Sequence, residues 1–292
     1  MRRARFSGLT LAVWVLCLGT PAQSGAQIDI QGHRGARGLM PENSLPAFTE
    51  ALRLRVPTLE LDLQVTRDRE LVVYHDPRLN AKLCVRDDGR QLPSVAIETL
   101  LYDELADVDC GRAVNPRFPE QQIVPGTRIP RLDDVLRLAR NADYPVRLSI
   151  EMKWPKRNDG LTVDEFARRL MALVHRYGLG KRTIVQSFHA PALRAVNKID
   201  PSVARAILVR RPEDYAHAVK ESRATILSPR YDGLRKADVE RFQGSRIPVI
   251  PWTVNGIADM CRLIAWGVNG LITDYPDRAL ELLRTNSCAS SK

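Results

Sequence analysis

The residues best suited to chemistry are a few carboxylates and two histidines. Glu60-Leu61-Asp62 lies within a run of β-type residues, Thr58 to Val65. Side chains alternate between faces along a strand, so Glu60 and Asp62 point the same way. Two carboxylates side by side among apolar neighbours carry a desolvation cost and repel each other. A cation or a strongly basic partner offsets both costs. A third carboxylate, Glu151, sits near the end of the run Arg147–Met152 and is followed by Lys153. Three carboxylates with no thiolate nearby suit one hard divalent cation, Mg2+ or Ca2+, completed by water. The competing use is a set of salt bridges to the many arginines. That use explains any single acid better than it explains three acids together at strand ends.

His33 lies in Gly32-His33-Arg34-Gly35 at the end of a first strand, and His75 ends the run Leu71-Val72-Val73-Tyr74-His75. Two histidines at strand ends beside a metal site form a candidate acid/base pair. The flanking glycines let the backbone approach a ligand closely. Arg34 offers a forked donor suited to phosphate. His175, His189 and His217 lack such company and read as structural or surface residues. The gap around Arg67-Asp68-Arg69-Glu70 is too short for a parallel crossover, so the strands on either side form an antiparallel hairpin. If Asp68-Arg69 is a two-residue turn, His75 faces Asp62.

These side chains need a scaffold that gathers strand ends. Strand patterns recur at Thr58–Val65, Arg147–Met152, Thr183–Ser187, Ala204–Val209, Thr225–Ser228, Ile247–Thr253 and Gly270–Thr273, after a first strand near Ile28–Ile30. Helical patterns lie between them, at Asn43–Arg53 with Asn43 as N-cap, and near 161–177, 191–199, 212–221, 235–242, 257–266 and 277–285. Strands alternating with helices predict an α/β fold with a parallel sheet. Eight such units at this length fit a (β/α)8 TIM barrel, with an open doubly wound sheet as the alternative. Residues from about 77 to 128 lack barrel periodicity and read as a small insertion after the second-strand hairpin. A helix is expected within it, near Ile97–Asp107.

The chain has 292 residues, a formal charge of +10, 44% apolar and 27% charged residues. That composition excludes a disordered or low-complexity protein. Arg2, Arg3 and Arg5, the apolar run Leu9–Leu18 and Ser24-Gly25-Ala26 read as a cleavable secretory signal peptide over 1–26. The remainder, 27–292, reads as one domain that is secreted or periplasmic. The apolar run is about half the length a membrane span requires, and no stable span is expected elsewhere. Four cysteines follow the leader, and an oxidising compartment favours pairing. Cys84 and Cys110 bracket one loop-rich stretch and are the first candidate pair. Four cysteines permit three full pairings, and free inert thiols are the alternative. No basic stretch interleaved with aromatics points to nucleic acid. Oligomeric state is not legible.

Nine short motifs, in order, carry a resemblance. They are His33-Arg34-Gly35, Pro41-Glu42-Asn43-Ser44, Glu60-x-Asp62, Thr66-x-Asp68, Val73-x-His75-Asp76, Glu151-x-Lys153, Gln186-Ser187-Phe188, Trp252-Thr253-Val254-Asn255 and Thr273-Asp274-Tyr275-Pro276. Together they resemble the glycerophosphodiester phosphodiesterase family, from about Gly32 to Arg284. The resemblance implies a barrel, one divalent cation, and hydrolysis of a small-molecule glycerophosphodiester to sn-glycerol 3-phosphate and an alcohol. It implies His33 and His75 as acid/base pair, Glu60, Asp62 and Glu151 as metal ligands, and Arg34 and Lys153 on the phosphate. It implies Phe188 and Trp252 as pocket walls. Two departures stand out: Met152 within Glu-x-Lys, and Arg69-Glu70 where the family often has a glycine. The alternatives are a lysophospholipase D-type or phosphoinositide phospholipase C-type phosphodiesterase, or a non-catalytic binding barrel.

Overall fold

The computed structural model describes residues 28–154 and 159–290, so the expected leader lies outside them. In chain order the strands are β1 (Asp29–Gly32), β2 (Thr58–Val65), β3 (Leu71–Val73), β4 (Val85–Arg86), β5 (Val108–Asp109), β6 (Arg147–Met152), β7 (Thr183–Ser187), β8 (Ala204–Val209), β9 (Ile226–Pro229) and β10 (Gly270–Thr273). The helices are α1 (Leu45–Arg53), α2 (Leu132–Arg140), α3 (Val163–Arg176), α4 (Ala190–Ile199), α5 (Tyr215–Ser222), α6 (Lys236–Gly244), α7 (Ile257–Ala265) and α8 (Pro276–Thr285). A parallel sheet runs β10-β1-β2-β6-β7-β8-β9, with β3 added antiparallel to β2.

The sheet closes through the segment expected as a strand at Ile247–Thr253. It is not a regular strand, yet it bonds to both neighbours. Leu227 N–H donates to Pro248, while Ile250 and Trp252 donate to Leu227 and Pro229. On the other side Asn269 and Ile272 donate to Val249 and Pro251. Pro248 and Pro251 have no N–H, which thins the ladder without opening it. The result is the expected (β/α)8 barrel. Leu61, Leu63, Ile150 and Val185 face outward into the main core against the helices. Ile184, Ala206, Ile226, Ile250 and Ile272 fill the interior. The polar side chains at the strand ends therefore sit above a packed floor.

Three local expectations are corrected. Ser44, not Asn43, caps α1: its hydroxyl accepts the Ala47 N–H. Asn43 is instead held at φ +53 with its amide turned to the barrel. The β2–β3 turn has three residues, not two. Thr66 N–H donates to Glu70 and Arg69 N–H to Thr66, with Arg69 in the left-handed region at φ +66. This is the residue where a glycine would be at ease, and it shifts the register by one. Tyr74 thus lies across from Asp62 and donates its N–H to the Asp62 carbonyl. His75 reaches the site only because the chain leaves the strand after Val73.

The third correction is in the insertion. The expected helix near Ile97–Asp107 is two short 3-10 turns, Ile97–Thr99 and Tyr102–Leu105, leading into β5. Side chains capture the backbone donors there: Glu104 accepts from Leu101 N–H and Asp68 from Tyr102 N–H. The insertion has its own small apolar cluster, including Val72, Tyr74, Leu79, Ile97 and Leu105. The Cys84–Cys110 disulfide ties it, as expected, and Cys261–Cys288 ties α7 to the C-terminus.

Candidate active site

The parallel pairing of β2 with β6 sets Asp62 beside Glu151, two residues beyond Glu60 on the same face. The ligand oxygens of Glu60, Asp62 and Glu151 lie within 4.8 Å of one another. All three residues are buried, at 1%, 1% and 6% exposure. Asn43 steers Asp62: its amide nitrogen donates to Oδ2 at 2.9 Å and its amide oxygen accepts the Asp62 N–H at 3.2 Å. Gln186, from the end of β7, donates to Glu60 Oε1 at 2.7 Å. Arg34 N–H donates to Glu60 Oε2 at 2.8 Å.

Two cations neutralise part of this charge. Lys153 Nζ lies 2.9 Å from Glu151 and 3.1 Å from Asp62. The Arg34 guanidinium is shared between Glu42, at 2.6 Å, and Asp62, at 3.1 Å. Burial raises the Asp62 carboxyl, but Lys153 and Arg34 outweigh it and hold Asp62 well below its ordinary range. Burial, then the charge of Asp62, pushes Glu60 well above. Glu151 is pushed up to about 7, by burial first, with Lys153 opposing. Three hard oxygen donors that resist sharing one buried pocket fit a divalent cation. The side-chain amide oxygen of Gln186, buried and without a hydrogen-bond partner, adds an unspent acceptor beside them.

The two histidines are held alike. His33 Nδ1 bonds Asp274 at 2.6 Å and His75 Nδ1 bonds Asp76 at 2.6 Å. Each carboxylate orients its imidazole and leaves Nε2 for the cleft. The His33 Nε2 lies 3.9 Å from Glu60. Asp274 is fixed in turn by a forked Arg37 contact at 2.8 and 2.9 Å and by Asn255 at 2.7 Å. Burial lowers His33 to about 4, helped by the Arg37 charge and opposed by Asp274, so the ring is neutral at pH 7. The glycines flanking His33-Arg34 serve a different end from the ligand approach expected of them. A side chain on Gly35, at φ +88, would strike Ala47 of α1, and one on Gly32 would strike the Gly35 carbonyl at 2.1 Å. They fold the chain back tightly enough to aim His33 and Arg34 inward.

All nine side chains singled out in the sequence, His33, Arg34, Glu60, Asp62, His75, Glu151, Lys153, Phe188 and Trp252, line one cleft of about 210 Å³. Phe188 meets Trp252 edge to face at 5.5 Å, and the Trp252 indole N–H donates to Ser228. Sequence reasoning missed the residues that hold these in place: Arg37, Glu42, Asn43, Asp76, Gln186, Asn255 and Asp274. Six of them stand inside the nine motifs, so a polar residue within a motif was the available signal. Arg117 and Arg210 also line the cleft, and neither carried a signal.

Comparison with known proteins adds a family. Residues 33–278 match the model of the Glycerophosphoryl diester phosphodiesterase family. The glycerophosphodiester phosphodiesterase of Bacillus subtilis (strain 168) is 28% identical over 290 residues, covering 91% of this chain and 95% of that protein. A crystal structure from Silicibacter pomeroyi DSS-3, of a protein provisionally named a glycerophosphoryl diester phosphodiesterase, superposes with a TM-score of 0.83. It is 29% identical and covers 92% of this chain and 96% of its own. A phosphodiesterase from Oleispira antarctica, solved with its product sn-glycerol-3-phosphate, shares the fold at a TM-score of 0.72 and 20% identity. That likeness covers 90% of this chain and 97% of that one.

Proposed function

This chain belongs to the glycerophosphoryl diester phosphodiesterase family, and from that premise we propose that its cleft hydrolyses glycerophosphodiesters to sn-glycerol 3-phosphate and an alcohol. The observation that carries the reading is the meeting of three carboxylates and two carboxylate-held imidazoles at one end of the barrel. Active sites of this fold are built at that C-terminal end.

Glu60, Asp62 and Glu151 would hold one divalent cation, Mg2+ or Ca2+. Such an ion neutralises charge as it develops on phosphate oxygens. Lys153 and Arg34 face the same oxygens and add to that neutralisation. One imidazole Nε2 takes a proton from the attacking oxygen, and the other gives a proton to the departing alkoxide. Asp274 and Asp76 keep Nδ1 protonated in both rings, so the ring that takes the proton starts neutral with Nε2 free, and the ring that gives one starts as the imidazolium. Phe188 and Trp252 wall the cleft around the organic part of the substrate.

The test is incubation of the purified protein with glycerophosphocholine, with and without chelator, and assay of sn-glycerol 3-phosphate. Product that vanishes with chelator and returns with Mg2+ or Ca2+ supports the reading. Absence of product with every added divalent cation overturns it. Lysophosphatidylcholine in parallel separates the lysophospholipase D-type activity. We also propose export of one barrel domain, residues 27–292, supported by the leader pattern in the sequence. Mass spectrometry of the exported protein should find Gln27 at its N-terminus. An intact residue 1–26 segment on protein kept in the cytoplasm contradicts export.

A further inference from the structure

The cleft holds more positive charge than the phosphate and the carboxylates use. Arg34 is committed to Glu42 and Asp62, Arg37 to Asp274, and Lys153 to Glu151 and Asp62. Arg117 and Arg210 line the same cleft, are exposed, and pair with no carboxylate among the described residues. Arg210 follows β8, and its guanidinium lies over the Phe188 ring, 4.0 Å from the centroid. Arg117 comes from the insertion. Its N–H donates to Asn115, and its neighbour Phe118 is buried edge-on against Tyr275 beneath Arg37. The insertion thus sets Arg117 over the barrel from a fixed base.

An exposed aromatic face is what a quaternary ammonium seeks. Here the face of Phe188 is already covered by a cation. A choline or ethanolamine group entering this region must displace Arg210 and meet two uncompensated guanidinium charges. A carboxylate or phosphate group on the alcohol meets two forked donors instead.

We propose that Arg117 and Arg210 form a subsite for a negatively charged alcohol moiety, so that this enzyme prefers diesters whose alcohol is anionic over those whose alcohol is cationic. The inference rests on the phosphodiesterase reading above. It assigns the two arginines to selecting the alcohol, separate from Arg34 and Lys153 at the phosphate common to all such substrates.

The experiment compares kcat/KM for glycerophosphoinositol 4-phosphate, glycerophosphoinositol and glycerophosphocholine at one metal concentration. Wild-type protein should rank them in that order, with the phosphorylated substrate ahead of the choline ester by roughly tenfold or more, as complementary charge in a cleft can supply. In the Arg117→Gln/Arg210→Gln double variant that ratio should fall by roughly tenfold, and high salt should narrow it in wild type. Equal handling of the three substrates by wild type overturns the subsite while leaving the phosphodiesterase reading intact. So does a double variant that loses the same factor on all three, since the arginines would then grip the shared phosphate or only support the fold. No cleavage of any of the three overturns both readings together. The wild-type ranking decides the matter even if the double variant does not fold.

Discussion

At the scale of single residues, the site separates groups that the proposed reaction puts against substrate from groups that hold them. His33 and His75 are presented through Nε2 because carboxylates occupy Nδ1. We expect His33→Ala and His75→Ala each to lower kcat by about 10²–10⁴-fold, the usual worth of a proton-transfer group. Far-ultraviolet circular dichroism should be unchanged, and near-wild-type turnover in either variant defeats the assignment. Asn43 touches Asp62 by two hydrogen bonds and occupies the left-handed region at φ +53, which glycine adopts without strain. Because Ser44 is the helix cap, Asn43→Gly should leave α1 intact while freeing Asp62 to rotate. Mg2+ or Ca2+ binding, measured by calorimetry after chelation, should weaken about 10–100-fold, as for other groups that orient a metal ligand. Unaltered affinity contradicts that role.

Among the elements, short connections do the aiming. The Gly32–Gly35 turn places His33 and Arg34 against α1 with no room for a methyl group. Gly35→Ala combines a left-handed backbone with contacts below 3 Å, and should cost at least about 2 kcal/mol in denaturant unfolding. Turnover of the folded fraction should fall as well; wild-type stability and turnover would show that the turn tolerates a side chain. Arg223 is the opposite case. It ends α5 in the left-handed region at φ +55, and its side chain is exposed. Arg223→Gly should therefore stabilise the protein by about 1 kcal/mol, read as a small rise in melting temperature. A drop would mean that the guanidinium contributes more than the strain removes. Arg69 shares that backbone geometry, but its guanidinium pairs with Asp159 at 2.7 Å, so the same substitution there exchanges strain for a lost ion pair.

For the whole molecule, the barrel supplies the floor and the insertion supplies a second wall. The insertion has a small core of its own and a disulfide that closes a 26-residue separation. Cys84→Ser/Cys110→Ser should lower stability by about 3 kcal/mol on the chain-entropy argument. Chemical denaturation of oxidised wild type against the double variant measures it. If the insertion positions Arg117, the same variant should also lose part of the preference for anionic alcohols, while glycerophosphocholine cleavage persists. Equal stability of the two proteins would show that the apolar cluster suffices.

What the sequence determined by itself follows from local rules. Alternation put Glu60 and Asp62 on one face, helical and strand periods marked the barrel units, and nine motifs in order marked the family. Every one of the nine residues singled out as site candidates lines the cleft. Only the tertiary structure decided what depends on contacts between distant segments. The hairpin register turned on a left-handed Arg69 that no hydrophobic pattern reveals. The seventh barrel segment, Ile247–Thr253, closed the sheet through carbonyls that its prolines could not match with donors. Asp274 reaches His33 across 241 positions of sequence, and Gln186 reaches Glu60 across 126. Arg117 acquired a place over the cleft only when the insertion folded onto the barrel. The physical reason is the same in each case: local pattern reports which face of an element is buried, whereas the partner that a polar side chain meets is chosen by how those elements pack.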